Sequence, residues 1–189
     1  MYKLVATEKG AQQQRKIENA FLTLMQTCAY DDITISSICL EAGLSRKVFY
    51  GLFEKKADVL YALLDHTFLD FEAYTAPEGE GLGGLHKFFS FWKQNKLLLD
   101  ALRSLQCSPM LAQRAVGFIQ RESPEVLHSF GADVSGFDRE VMVFYVNGIF
   151  SLVIDWHERG FDRSVDEMAR MLKNLLTSVP IKDSMPKDL

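Results

Sequence analysis

The sequence predicts an all-α chain, an N-terminal three-helix head followed by a C-terminal helical body, with about nine helices in all. Three observations carry that expectation. Apolar residues recur at steps of three and four along most of the chain. Strand-like alternation with β-branched clusters and hairpin turns is absent. Residues that start and stop helices stand where the periodic runs begin and end.

Composition fits this class and excludes others. The chain has 189 residues, of which 48% are hydrophobic and 24% charged, too apolar to stay solvated as a disordered chain. A chain of this length buries enough surface to fold without disulfide or metal staples. Cys28, Cys39 and Cys107 are widely spaced and form no CxxC pair, so they read as small packing residues in a reducing compartment. The first ten residues lack the apolar run of a signal peptide. The most apolar stretch, Val141 to Trp156, is interrupted by Asn147, Ser151 and Asp155 and is too short to span a bilayer. A cytoplasmic protein with no membrane partner is expected.

The elements follow in order. Ile17, Ala20, Phe21, Leu24, Met25 and Cys28 form the stripe of a first helix, with Gln12, Arg15, Lys16 and Glu18 off it. Tyr30 to Asp32 make a polar turn. Thr34 has the character of an N-cap for a short helix over 35–42, and Ser45 of a second one from Arg46 to about Phe53. A longer helix begins near Asp58, with Val59, Leu60, Leu63, Leu64, Thr67 and Phe68 on one side, and fades near Tyr74. Thr75 to Gly84, with Pro77 and four glycines, is a loop. Phe88, Phe89, Trp92, Leu98, Leu99 and Leu102 resume helical spacing, with a break expected within 93–100. Pro109 starts another helix, ending before a linker at 131–136. The helix over 138–159 is apolar at twelve of the sixteen positions from Val141 to Trp156, so it needs cover on nearly all sides. Gly160 ends it. Ser164 caps a last helix, with Glu167 at the capping-box position and Val165, Met168, Leu172, Leu175, Leu176 and Val179 as its stripe. The tail from Ile181 is polar.

The informative stretch is TISSICLEAGLSRKVFYGLFEKKADVL, Thr34 to Leu60. Two short helices meet at a turn containing Gly43, as a helix-turn-helix requires. Ile38, Cys39, Ala42, Leu44, Val48 and Phe49 fall where the helices touch, which leaves Arg46, Lys47 and Tyr50 outward. In such a motif the first residues of the second helix reach base edges in the major groove, and Arg and Lys donate to guanine O6 and N7. Net charge is −4 for the chain, but +2 for residues 1–56 and −6 for the rest. Bulk electrostatic coating of nucleic acid is thereby excluded, while a locally basic head is retained.

The stretch resembles the signature of the TetR/AcrR family, roughly A-G-V-S-x-x-x-x-Y-x-[HY]-F-x-x-K-x-x-L. Ala42, Gly43, Ser45, Tyr50, Phe53 and Lys56 match it in register, and Thr34-Ile35 matches the usual start of the preceding helix. Gly148, Trp156 and Gly160, followed by an amphipathic helix, are similar to the ending of the family's C-terminal halves. Gly51 and Leu52 depart from the pattern, which usually carries a bulkier or polar residue and then His or Tyr.

The resemblance implies a transcriptional regulator, a repressor, that binds a palindromic operator in double-stranded DNA as a homodimer and answers to a small hydrophobic effector. Residues 1–56 would be the DNA-binding domain and 57–189 the effector-binding and dimerisation domain. Thr34, Tyr50 and Lys56 would contact phosphates, while Ser37, Arg46 and Lys47 would contact bases or phosphates, next to the cap Ser45. Phe144, Gly148, Leu152, Met168, Leu172 and Leu175 would form the dimer interface. Trp92, Phe118, Tyr145 and Trp156 would line an effector pocket. No cofactor or metal is expected, since His86, His128 and His157 show no ligand spacing. Catalysis is not expected either: there is no GxSxG elbow, P-loop or GxGxxG, and GEGLGG at 79–84 follows no strand. The alternative is a protein of the same fold acting as a protein-interaction adaptor or coactivator with reduced DNA binding, motivated by Gly51, Leu52 and the acidic balance.

Overall fold

The computed structural model describes residues 7–75, 81–104, 108–121 and 139–178. Among them are nine α-helices, one 3-10 turn and no strand, as the periodicity predicts. The order is α1 Glu8–Leu24, the turn Tyr30–Asp32, α2 Ile35–Ala42, α3 Arg46–Leu52, α4 Lys56–Thr75, α5 Leu82–Gln94, α6 Lys96–Ser104, α7 Ser108–Arg121, α8 Arg139–Glu158 and α9 Val165–Ser178. Cys107, His128, the 131–136 linker, Val179 and the tail lie outside the described residues.

By packing, the chain divides into two compact units, Met1–Asp70 with Asn95–Ala115, and Phe71–Gln94 with Val116–Leu189. In the first, α1 packs on α2, α3 and α6. Its core holds Ile17, Phe21, Met25, Ile38, Cys39, Phe49 and Phe53, each at most 6% exposed. The α4 stripe is buried as its spacing predicts, from Val59 to Phe68. Two sequence expectations for α1 fail. The helix starts at Glu8, with Thr7 as its N-cap, and its C-cap is Met25, so Cys28 lies beyond the helix and is exposed rather than packed. Glu18, off the apolar stripe, is fully buried, because His66 of α4 covers it: Nδ1 of the imidazole lies 2.7 and 2.8 Å from the two carboxylate oxygens. Arg15 stands 3.8 Å from Glu18 and donates to Asp70 at 2.6 Å. Burial pushes the Glu18 carboxyl above the usual carboxylate range, against the downward pull of His66 and Arg15.

In the second unit, α5 packs on α8 and α9. Its core is aromatic. Trp92 lies edge-on to Phe150 at 5.2 Å, Phe88 to Phe150 at 5.8 Å, and Phe89 meets Trp156 at 90° and 5.6 Å. Such pairs add stabilisation beyond the area they bury. The expected break falls at Asn95, between α5 and α6. Gly160 stops α8 in the left-handed region at φ 69°, and Phe161 follows at φ 59° with its N–H donating to the Trp156 carbonyl at 2.8 Å. A positive φ is strained for Phe, and a T-shaped contact with Trp156 at 4.7 Å holds it there. Ser164 and Glu167 form the expected capping box: Ser164 N–H donates to Glu167 Oε2 at 2.7 Å, and Glu167 N–H to Ser164 Oγ at 3.2 Å.

Candidate nucleic-acid interface

The head is built by caps. Thr34 and Ser37 close a reciprocal box at the start of α2: Ser37 N–H donates to Thr34 Oγ1 at 3.0 Å, and Thr34 N–H to Ser37 Oγ at 2.9 Å. Gly43 stops α2 at φ 64°, its N–H donating to the Leu40 carbonyl and that of Leu44 to the Cys39 carbonyl. This is a Schellman ending, and its φ suits glycine because an L side chain is strained there. Two residues on, Ser45 caps α3 by accepting from Val48 N–H at 3.3 Å. The turn between the helices is therefore short and its backbone groups are engaged, so the second helix leaves at a defined angle. Buried Ile38, Cys39 and Phe49 hold the corner from inside, with Ala42, Leu44 and Val48 half-buried around them.

On the outside stand Ser45, Arg46, Lys47 and Tyr50, the last 59% exposed with its ring edge-on to Phe49. Thr34 is exposed, and Ser37 is half-buried in the cap. Arg46 does not extend freely, because its Nη2 donates to the Ser36 hydroxyl of α2. Burial pushes the Cys39 thiol up, and the nearby Arg46 charge pulls it down. Sequence reasoning passed over Ser36, because a contact ten residues apart across a turn leaves no periodic signal.

Lys56 is placed differently from the other basic residues. It is half-buried, and its ammonium donates to the carbonyls of Tyr30 at 2.5 Å and Ile33 at 2.7 Å while lying 3.9 Å from the centre of the Tyr30 ring. Two of its three donors thus tie the turn before α2 to the start of α4. Asp58, buried beside it, accepts from the N–H groups of Glu54 and Lys55 at 3.2 Å each and closes the α3–α4 connection.

Gly51 occupies an exposed position within α3, with nothing within 4 Å of where a Cβ would stand. Gly51→Ala is therefore expected to stabilise the head by about 0.5–1 kcal/mol. A rise in the thermal unfolding midpoint checks this, and a fall would show an obstruction at that position.

In the second unit, one face of α8 is buried through Val146, Ile149, Phe150, Val153 and Trp156. An adjoining face, which shares Ile149, is open. With α9 it lines a groove of about 750 Å³ that includes Phe144, Tyr145, Gly148, Leu152, Leu172 and Leu175. Phe144 is 75% and Leu175 51% exposed. Five of the six residues expected at the pairing face border this groove. Met168 does not: it is 1% exposed and belongs to the unit's own core. Of the four residues expected around an effector, only Tyr145 borders the groove. Trp92 and Trp156 are fully buried with their rings packed on Phe150 and Phe89, and Phe118 is 5% exposed. Aromatics at helical spacing read alike whether they pack or line a cavity, and here the two tryptophans pack.

Two short capped helices, packed on each other across a tight turn, with basic residues exposed on the second, define a helix-turn-helix. Residues 82–178 match the family model described as the C-terminal region of transcriptional regulators of the TetR type. The chain belongs to the TetR family of transcriptional regulators. No curated protein matches it at significance. Among solved structures it is similar to the dihydroxyacetone kinase operon activator DhaS, with a TM-score of 0.58 and 20% identity, covering 88% of this chain and 94% of that one. At that identity the likeness is one of fold. No helix among the described residues is long and apolar enough to cross a membrane.

Proposed function

We propose that the protein is a cytoplasmic repressor that binds a palindromic operator as a homodimer, with residues 1–56 reading DNA and residues 57–189 pairing and answering to a small hydrophobic effector. The observation that carries this reading is the outward set Arg46, Lys47 and Tyr50 on a short helix whose two ends and inner face are fixed. A rigid helix presenting cations suits the major groove. Thr34 and Ser45 stand exposed beside that set, and Ser37 orders the start of α2. Lys56 acts by fixing α4 against the turn, with one donor left for a phosphate.

The open α8–α9 groove supports pairing, since its lining is almost wholly apolar and Phe144 and Leu175 in it are more than half exposed on one protomer. A twofold dimer would present its two α3 helices to half-sites about one DNA turn apart. The effector reading rests on the aromatic body and the family, and its mechanism is a ligand that prefers one of two spacings of the heads. Gly51 and Leu52 favour a second reading, an adaptor or coactivator with a weakened head.

The paired substitution Arg46→Ala with Lys47→Ala separates the readings. Operator binding, followed by fluorescence anisotropy on a selected duplex, is expected to fall to the level of random DNA while the dimer persists. Retained specific affinity would remove these residues from the interface.

A further inference from the structure

Arg46 and Lys47 are neighbours in sequence with the same charge, yet their surroundings differ. Arg46, the first residue of α3, is tethered to α2 through the Ser36 hydroxyl. Ser36 is free for this because the cap of α2 is made by Thr34 and Ser37. Lys47 is one step of about 100° further round the helix and is exposed. Tyr50 and Gly51 follow Lys47 at three and four residues, so these three share one face. Gly51 leaves that face bare, with open space above the backbone.

We propose that the two cations divide the work: Lys47 reads base edges along the bare face of α3, with Tyr50 beside it on a phosphate, and Arg46 grips the DNA backbone, positioned for this by Ser36. The inference rests on the operator reading above and refines it. In a helix-turn-helix the first helix crosses the DNA backbone while the second lies in the groove. A guanidinium drawn onto the first helix is drawn toward phosphates. Arg has five N–H donors in a rigid fork, so the one given to Ser36 leaves four for phosphate oxygens. Lys47 keeps its reach along the groove, where a lysine donates to guanine O6 and N7. Backbone contacts set affinity without sequence information, whereas base contacts set specificity. Ser36 is thus a positioning residue that acts through Arg46.

The test measures full-length wild type, Lys47→Ala, Arg46→Ala, Ser36→Ala, Ser36→Thr and the Ser36→Ala/Arg46→Ala pair against a selected operator and its single-base variants, over a range of salt. Lys47→Ala is expected to flatten discrimination at one or two base pairs per half-site by about tenfold. Arg46→Ala is expected to weaken all duplexes alike and to lower the log–log salt slope by about 0.9 per head. Ser36→Ala is expected to weaken binding severalfold and uniformly when Arg46 is present, and to change nothing further when Arg46 is already alanine. Ser36→Thr, which keeps the hydroxyl, is expected to bind as wild type. Base-specific loss in Arg46→Ala, uniform loss in Lys47→Ala, or an equal Ser36 effect with and without Arg46 overturns the division while leaving the operator reading intact. Failure of the wild type to prefer any duplex overturns the operator reading and this inference with it.

Discussion

Phe144→Glu combined with Leu175→Glu is expected to give a folded protomer that no longer dimerises. Both side chains are more than half exposed on the single chain, so charging them leaves its core untouched. In a dimer formed through the α8–α9 groove the same positions would be covered, and each buried carboxylate without a partner opposes association by several kcal/mol. Four such groups per dimer exceed what an ordinary interface supplies. Sedimentation should therefore report a monomer with an unchanged helical spectrum. Operator affinity should fall by about 10²-fold or more, since the second head is no longer held near its half-site. A variant that stays dimeric would place the pairing face elsewhere.

His66→Ala is expected to destabilise the head by about 1–3 kcal/mol, the usual cost of leaving a buried polar group without its hydrogen-bond partner. Glu18 would then be a fully buried carboxylate helped only by Arg15 at 3.8 Å. Its pH signature distinguishes this from a mere cavity. Glu18 is already held above its ordinary value, so the folded state takes up a proton more readily than the unfolded one. Its contribution is complete below the unfolded value of 4.5 and declines as pH rises through the raised folded value. Removing His66 removes a downward pull, which extends that decline to higher pH. The variant's stability should fall more steeply toward neutrality than wild type, and Glu18→Gln in the same background should flatten the slope. Denaturant unfolding at a series of pH values measures both, and parallel pH profiles would refute the account of the pair.

The parts of the fold legible in the sequence were those coded locally. Thr34, Gly43 and Ser45 mark the ends of α2 and α3, because capping and left-handed stops need particular residues at particular places. Ser164 and Glu167 mark α9 in the same way. The apolar circumference of α8 called for cover on more than one face; Val146, Ile149, Phe150, Val153 and Trp156 are buried, while Phe144 stays exposed at the groove beside α9. What stayed hidden was pairing at a distance. Glu18 and His66 are 48 residues apart, and a polar residue off a stripe carries no sign that another helix will cover it. The sequence marked Lys56 only as a phosphate contact, because carbonyls that accept from a lysine leave no trace in side-chain pattern. Met168 is buried in its own unit and the two tryptophans pack on Phe150 and Phe89, and period alone does not separate such positions from a surface for a partner or ligand.

In the proposed function a fixed helix with outward cations reads an operator as a pair. Selection of binding sites from a random double-stranded DNA pool with the full-length protein, followed by titration of the winning sequence across salt concentrations, tests it most directly. A palindromic winner is expected, with a steep fall in affinity with salt and a log–log slope near −0.9 for each phosphate neutralised. An unenriched pool, with weak duplex binding that ignores sequence, would contradict it.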